Sequence, residues 1–255
     1  AFIMASYENG EATSNVLTSY AGANRSNIVL PNNVTSLAAT FSSLGITGHF
    51  DTGDGLTEVR DSLFASNSLT SVRIGNNVTT IGTNAFSSNS IATVEIGNNV
   101  TTIGGDAFYN NKITTLELGN SVETIDGSFR NNQIKELVLP DSVKTINYRY
   151  IYKSGSKYYY GAFESNPLES VVFGSGIETI SDYTFRNITT LTNVDFSRSE
   201  NLKTIGNYSF YNTGLMELDL SNSKKITAIG TDAFYSNNLT DVRLNQILKN
   251  IETDL

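Results

Sequence analysis

A segment of about 22 residues recurs along most of this chain, and few architectures can accommodate such a pattern. LTSVRIGNNVTTIGTNAFSSNS at residues 69–90 is followed by IATVEIGNNVTTIGGDAFYNN from residue 91 and ITTLELGNSVETIDGSFRNNQ from residue 113. Self-similarity at a fixed period of this size marks a solenoid, in which each unit buries its apolar side only against its neighbours.

The apolar columns can be followed by counting. Each unit opens with Leu or Ile and places an apolar residue three later and another five later, as in Leu69/Val72/Ile74, Ile91/Val94/Ile96 and Leu215/Leu218/Leu220. The V-x-I pair alternates as a short strand requires, and units stacked in register must pair these strands in parallel. A second apolar pair, from Val78/Ile81 to Ile226/Ile229, reads as another short strand or extended segment. Each unit then turns through Gly, Asn, Asp or Ser and drops in one Phe: Phe86, Phe108, Phe129, Phe163, Phe185, Phe210 and Phe234, a predicted core spine. Two residues before the next unit stands Asn67, Asn89, Asn111, Asn132, Asn166 or Asn237, with Thr189 and Thr213 near that position in the two units that depart from it. An Asn there is placed to satisfy backbone groups of its own coil and the adjacent one.

The order N-x-L-x-x-V-x-I, then V-x-x-I, then A-F resembles the leucine-rich repeats of the BspA-like class, found on surface proteins of bacteria and some protists. Residues 69–246 carry it closely, and Ile28/Leu30/Val34/Leu37/Phe41 and Phe50/Leu56/Val59/Phe64 carry it more loosely. Members commonly have Cys where this chain has Asn. The resemblance implies a β-rich leucine-rich-repeat solenoid, a curved right-handed coil of short parallel strands and irregular or 3-10 turns. It also implies adhesion or ligand binding without enzymatic activity; separately, no cofactor is expected, and no metal, since no closed ligand set is present. The motif is specific for fold and weakly so for function.

Residues 1–27 do not follow the repeat and are expected to form an N-terminal cap that begins with a helix or a strand. Residues 28–255 then make the solenoid, irregular over 28–68 and regular over 69–246, with an insertion at 147–160. The last repeat keeps Leu244/Leu248/Ile251 but stops at Leu255 before its Phe, which favours a fragment of a longer protein over a degenerate cap. Absence of Cys excludes disulfides and thiolate metal sites. A formal net charge of −8 argues against nucleic acid as a partner, and no apolar run approaches the ~18 residues of a membrane span. The family resemblance implies a secreted or cell-surface location, and a monomer with no membrane insertion is expected.

One unit breaks the pattern. Ile146 and Phe163 are 17 positions apart where Ile81 and Phe86 are five, so 12 residues are inserted within NYRYIYKSGSKYYYG. Tyr148, Tyr150 and Tyr152 alternate on one arm, Ser154-Gly155-Ser156 makes a turn, and Tyr158, Tyr159 and Tyr160 return, which predicts a hairpin protruding from the solenoid. Arg149, Lys153 and Lys157 make it locally basic. Insertions within repeats often form the binding face, and Tyr gives large contact area at low entropic cost. Alternatively, the tyrosines pack on the solenoid or on the opposite arm.

A second candidate surface is the outward column of the first strand, with Glu95, Glu117, Glu136, Asp195, Glu217 and Asp219 facing out from a concave sheet. An extended acidic row would steer a basic partner. Its bland counterpart is a solvated face that keeps β-structure soluble. Catalysis finds little support. His49, the single histidine, reads as a turn or strand-end residue, and no nucleophile elbow is present. Adjacent Thr79/Thr80 and Thr101/Thr102 are expected on opposite strand faces, which removes an ice-binding array.

Three functions remain: a non-enzymatic surface protein that binds a protein or glycan on a host or neighbouring cell, a structural spacer or targeting module of a larger exported protein, and a glycan-binding module with open tyrosine ring faces.

Overall fold

The computed structural model describes residues 25–38, 40–245 and 248, together with the backbone of short strands within residues 2–20. It is a parallel β-solenoid of about ten turns, and no described element is a helix. Each coil contributes one strand to a first row and one to a second. Apolar residues three apart, such as Val78 and Ile81, both point inward, so the second strand has room for only two or three residues.

The second row forms one unbroken sheet of eight parallel strands, from Glu58–Val59 through Thr80–Ile81 and Thr145–Asn147 to Ala228–Ile229. The first row is interrupted twice. Five strands run from Ser26–Val29 to Thr115–Glu117, three from Glu136–Val138 to Asn193–Asp195, and two are Glu217–Asp219 and Asp241–Arg243. Beside the first interruption Leu116 and Leu118 are only partly buried, as is Val194 beside the second. Close stacking needs glycine at the turn after the first strand: a Cβ on Gly97 would stand 2.4 Å from the Gly75 carbonyl oxygen.

The expected phenylalanine spine is present. Consecutive rings from Phe64 to Phe234 stack with centroids 5.1–5.7 Å apart, and all but Phe234 are fully buried. A shorter second stack joins Phe173 to Phe196 at 4.9 Å.

The asparagine ladder closes the backbone accounting between coils. Asn111 Oδ1 accepts from the Ile91 N–H at 3.1 Å, while Nδ2 donates to the carbonyls of Phe86 at 3.0 Å and Phe108 at 3.1 Å. Asn89, Asn132 and Asn166 repeat the pattern. Thr213 joins it by donating to the Phe210 carbonyl and to Asn237 Oδ1. The expectation for Thr189 is corrected: Ile188, 2 % exposed, fills the slot three residues after Phe185, and Thr189 lies outside on the extra residue of that turn.

A second ladder explains the repeated Gly-Asn-Asn turn. The backbone N–H of Asp54, Asn76, Asn98 and Asn120 donates to the side-chain oxygen of Asn32, Asp54, Asn76 and Asn98 respectively, at 3.0–3.2 Å. Thr79 and Thr80 are both exposed, contrary to the expectation of opposite faces, because Val78 and Ile81 on either side of the pair both turn inward.

Phe2–Met4 pairs antiparallel with Val16–Tyr20, which pairs parallel with Ser36–Leu37. Tyr7–Glu8 pairs antiparallel with Glu11–Ala12, and the other residues of the expected cap before residue 25, with Ile251 of the last repeat, lie outside the described residues.

Candidate binding surface

The inserted residues fold as a two-stranded antiparallel hairpin, Arg149–Lys153 against Ser156–Tyr160. Ser154 and Gly155 both have positive φ, 51° and 81°, which is the two-residue turn whose twist suits a hairpin; Ser156 already belongs to the returning strand. Register places Tyr150 opposite Tyr159 and Tyr152 opposite Lys157 on one face, with Arg149 opposite Tyr160 and Ile151 opposite Tyr158 on the other.

The base of the hairpin is packed and its outer part is open. Tyr148, Tyr159 and Tyr160 are half-buried, while Tyr150, Tyr152 and Tyr158 are exposed, Tyr152 by 67 %. On one side the guanidinium of Arg130 lies between the rings of Tyr109 and Tyr160, 4.0 and 4.2 Å from their centroids. Arg149 turns down onto buried Asp106 at 3.5 Å and crosses Gly105 and Gly127, so its charge belongs to the scaffold, not to the exposed hairpin surface. On the other side Tyr159 stacks on Tyr183 at 5.3 Å, and Tyr148 meets both rings. Lys153 and Lys157 remain exposed. The Lys157 ammonium sits 4.3 Å from the Tyr150 ring centroid, and Tyr152 beside it pushes its pKa above the ordinary lysine value.

The tyrosines continue past the hairpin. Tyr183 stacks on Tyr208 at 5.6 Å with planes 1° apart, Tyr208 meets Tyr211 at 5.7 Å, and Tyr211 stacks on Tyr235 at 5.7 Å. Of the 13 tyrosines, Tyr7 and Tyr20 precede residue 25; the other eleven all lie between a second-row strand and the start of the next coil, on the side that carries the hairpin. Tyr183 and Tyr208 have φ of 63° and 55° where the equivalent Asn84, Asp106 and Asp232 are also left-handed. Asn and Asp tolerate that region; a bulky aromatic residue rarely enters it. Burial, with Asp182 adding to it, raises the Tyr183 phenol above its ordinary value. The sequence signal for these residues was Tyr two positions before Phe in two successive units.

The acidic candidates do not form one row. Glu95 and Glu117 are neighbours in register, but Arg73 precedes them and pairs with Asp51 at 3.0 Å, Asp54 at 3.1 Å and Glu95 at 3.8 Å. Past the first interruption the same column presents Val138, 68 % exposed, and then Val172, whereas Glu136 stands in the other column beside Ser170. Asp195 and Asp219 hold their own turns, accepting from the Ser197 and Ser221 N–H at 2.7 and 2.9 Å. That bonding, with Arg243 3.6 Å away, keeps the Asp219 pKa below the usual carboxylate range. At the second interruption a cleft of about 360 Å³ opens between Thr192, Asn193 and Val194 on one coil and Met216, Glu217 and Asp219 on the next.

His49 is not at a turn. It lies within Thr47–Asp51, with Nδ1 2.8 Å from Ser71 Oγ on the adjacent strand. Asp51 on the same strand is held by Arg73 and the Gly53 N–H, so the three residues do not form a Ser-His-Asp relay. Among the described residues no group of three or more His, Cys, Asp or Glu side chains could hold a metal ion, and no helix is long and apolar enough to cross a membrane.

Comparison with known proteins places six copies of the BspA type leucine rich repeat region on the chain, over residues 17–132, 50–157 and 156–255. Among solved structures, a leucine-rich-repeat protein of T. pallidum is 20 % identical with a TM-score of 0.50, covering 92 % of this chain and 84 % of that one. The pneumococcal vaccine antigen PcpA is 13 % identical with a TM-score of 0.47, covering 97 % and 82 %. A leucine-rich-repeat protein from Eubacterium ventriosum ATCC 27560 is 17 % identical with a TM-score of 0.39, covering 91 % and 80 %. A search of curated protein sequences found no match. At 20 % identity, the likeness to the T. pallidum protein concerns the fold.

Proposed function

This chain belongs to the BspA-type leucine-rich-repeat family, and from that premise we propose that it is a non-enzymatic, secreted or surface-exposed bacterial protein that binds a macromolecule on a host or neighbouring cell. The observation that carries the reading is the hairpin: a 12-residue insertion held at its base by Arg149 and Tyr159, with Tyr150, Tyr152 and Tyr158 left open to solvent. Rigid aromatic side chains beside a fixed cation are the composition of protein interaction surfaces. Repeat scaffolds carry such insertions on one side without disturbing the core.

Ring geometry bears on the ligand. Tyr159, Tyr183 and Tyr208 cover one another's faces, Arg130 covers Tyr160, and Lys157 covers Tyr150. A glycan platform needs open faces, so this arrangement favours a protein partner over a sugar.

The test is binding of the chain to extracellular-matrix protein and glycan arrays beside a variant lacking residues 148–159. A matrix-protein signal lost on deletion supports the reading. A signal that persists after deletion moves recognition off the hairpin, and silence from both proteins favours a spacer within a larger exported protein.

A further inference from the structure

The backbone beyond the hairpin does not call for tyrosine. Except at Gly161, in the coil that carries the hairpin, the coils from Phe64 to Phe234 hold a left-handed residue two positions before Phe, and Asn84, Asp106, Gly127 and Asp232 supply it with residues suited to that backbone. Tyr183 and Tyr208 supply it at a cost in strain, in two successive coils, directly below the hairpin. Backbone strain of this kind clusters where a site imposes it. Its product is an unbroken line of rings, Tyr152, Tyr150, Tyr159, Tyr183, Tyr208, Tyr211 and Tyr235, with neighbouring centroids 5.3–6.4 Å apart.

The chemistry of that line is one-sided. Where rings stack on each other they present edges, and the edge of an aromatic ring is the positive end of its quadrupole. No hydrogen bond within the described residues takes up the hydroxyl of Tyr183 or Tyr208, and neither oxygen is buried without a partner. The hydroxyls are therefore available as donors. At the hairpin end Lys153 and Lys157 have no carboxylate partner, the lysine ion pairs of the described residues being those of Lys135, Lys144 and Lys203. In a chain of net charge −8 the hairpin end of the line is thus a local site for anions. Stacking of nucleic-acid bases needs the faces that are already covered.

Resting on the binding function proposed above, we infer that the tyrosine line from Tyr152 to Tyr235 is the contact surface for an extended acidic polypeptide. Its carboxylates meet Lys153 and Lys157 and its backbone carbonyls meet the phenol hydroxyls. Tyr183 and Tyr208 extend the surface past the hairpin.

The experiment titrates the full chain with a 20-residue poly-glutamate peptide at low salt, followed by tyrosine emission, which is clean because the chain has no Trp, and by calorimetry. Poly-lysine of the same length and heparin serve as contrasts. Binding to poly-glutamate but not to poly-lysine is expected. Affinity should fall by about tenfold or more in Tyr183→Asn/Tyr208→Asn and in Lys153→Ser/Lys157→Ser. Asn relieves the left-handed backbone at both tyrosine positions while the Tyr159–Tyr183 and Tyr183–Tyr208 stacks are lost, so the first variant should melt within a few degrees of the parent in one cooperative transition, which separates lost contact from lost fold.

Absence of poly-glutamate binding, or binding unchanged in the asparagine variant, overturns the inference. So does a tighter complex with heparin, which would assign the surface to a sulfated glycan. If poly-glutamate fails while the hairpin-dependent matrix signal persists, only the partner chemistry is wrong; if the matrix signal is also absent, the binding function itself falls.

Discussion

Phe163 lies flat on Phe129, with 5.7 Å between ring centres and 10° between planes, across an interval of 34 residues. Phe108 and Phe129 stack at 5.4 Å across only 21. The hairpin therefore leaves the core through a gap that closes behind it. Removing residues 148–159 restores a spacing of 22 between the two rings. The deletion variant should unfold in one cooperative transition with a loss of about 1–3 kcal/mol, from the packing of Tyr159 and Arg149. Phe129→Ala should cost roughly 3–5 kcal/mol. Urea melts of the two variants check the order, and a larger loss from the deletion would make the hairpin part of the core.

The exposed and packed tyrosines should separate cleanly. Replacing Tyr150, Tyr152 and Tyr158 together by Ser is expected to abolish ligand binding and leave the thermal midpoint within a degree or two of the parent. Tyr159→Ser should lower stability by about 1–2 kcal/mol, since its ring stacks on Tyr183 and touches Tyr148. Differential scanning calorimetry beside the array assay reads both.

Asn111→Leu removes one acceptor and two donors from buried backbone partners on two coils. Leaving the Ile91 N–H and the Phe86 and Phe108 carbonyls unsatisfied should cost roughly 2–4 kcal/mol, although the substitution adds apolar surface. Hydrogen exchange should show the Ile91 amide losing protection first. A neutral result would mean water replaces the side chain.

Acid should weaken the first coils through Asp54. Its carboxylate accepts the Asn76 N–H and then pairs with Arg73, and both hold its pKa below the ordinary value. A depressed carboxylate contributes stability above its unfolded pKa of about 3.9 and loses it as pH falls through the folded value. Stability should thus be level from neutral pH to about 5 and decline below about 4. Asp54→Asn keeps the acceptor used by Asn32, Asn76 and Asn98 at this position and should flatten the acid limb. Melting curves from pH 7 to 3 on both proteins test it.

Periodicity made the core legible. The Phe column, the two strand rows and the role of Asn111 could all be read because each is a local residue choice repeated at fixed spacing, and every repetition is an independent observation of the same contact. What resisted reading depends on the offset between neighbouring coils. Ile188 replaced an expected polar residue because that turn is one residue longer, which moved Thr189 off the ladder. Val138, by contrast, breaks the acidic column at the position the unit spacing already assigns it, after Leu137. Arg149 counted as a hairpin cation in sequence, and only the fold could set it against Asp106, 43 positions earlier. Tyr183 and Tyr208 were visible as letters, but their meaning lay in a left-handed backbone that Asn and Asp elsewhere disguised.

The two strand rows respond differently to force. Eight second-row strands join the coils from Glu58 to Ile229 without a break, whereas the first row parts after Glu117 and again after Asp195. A pull along the stacking axis would meet a ribbon on one side and three separate plates on the other. The molecule would open like a book hinged along its second sheet, tilting at the two seams before any coil unravels. The first seam falls just before the coil that carries the hairpin and the second just after the coil of Tyr208 and Tyr211, so the hairpin, Tyr183 and Tyr208 travel on one plate while Tyr235 swings with the next.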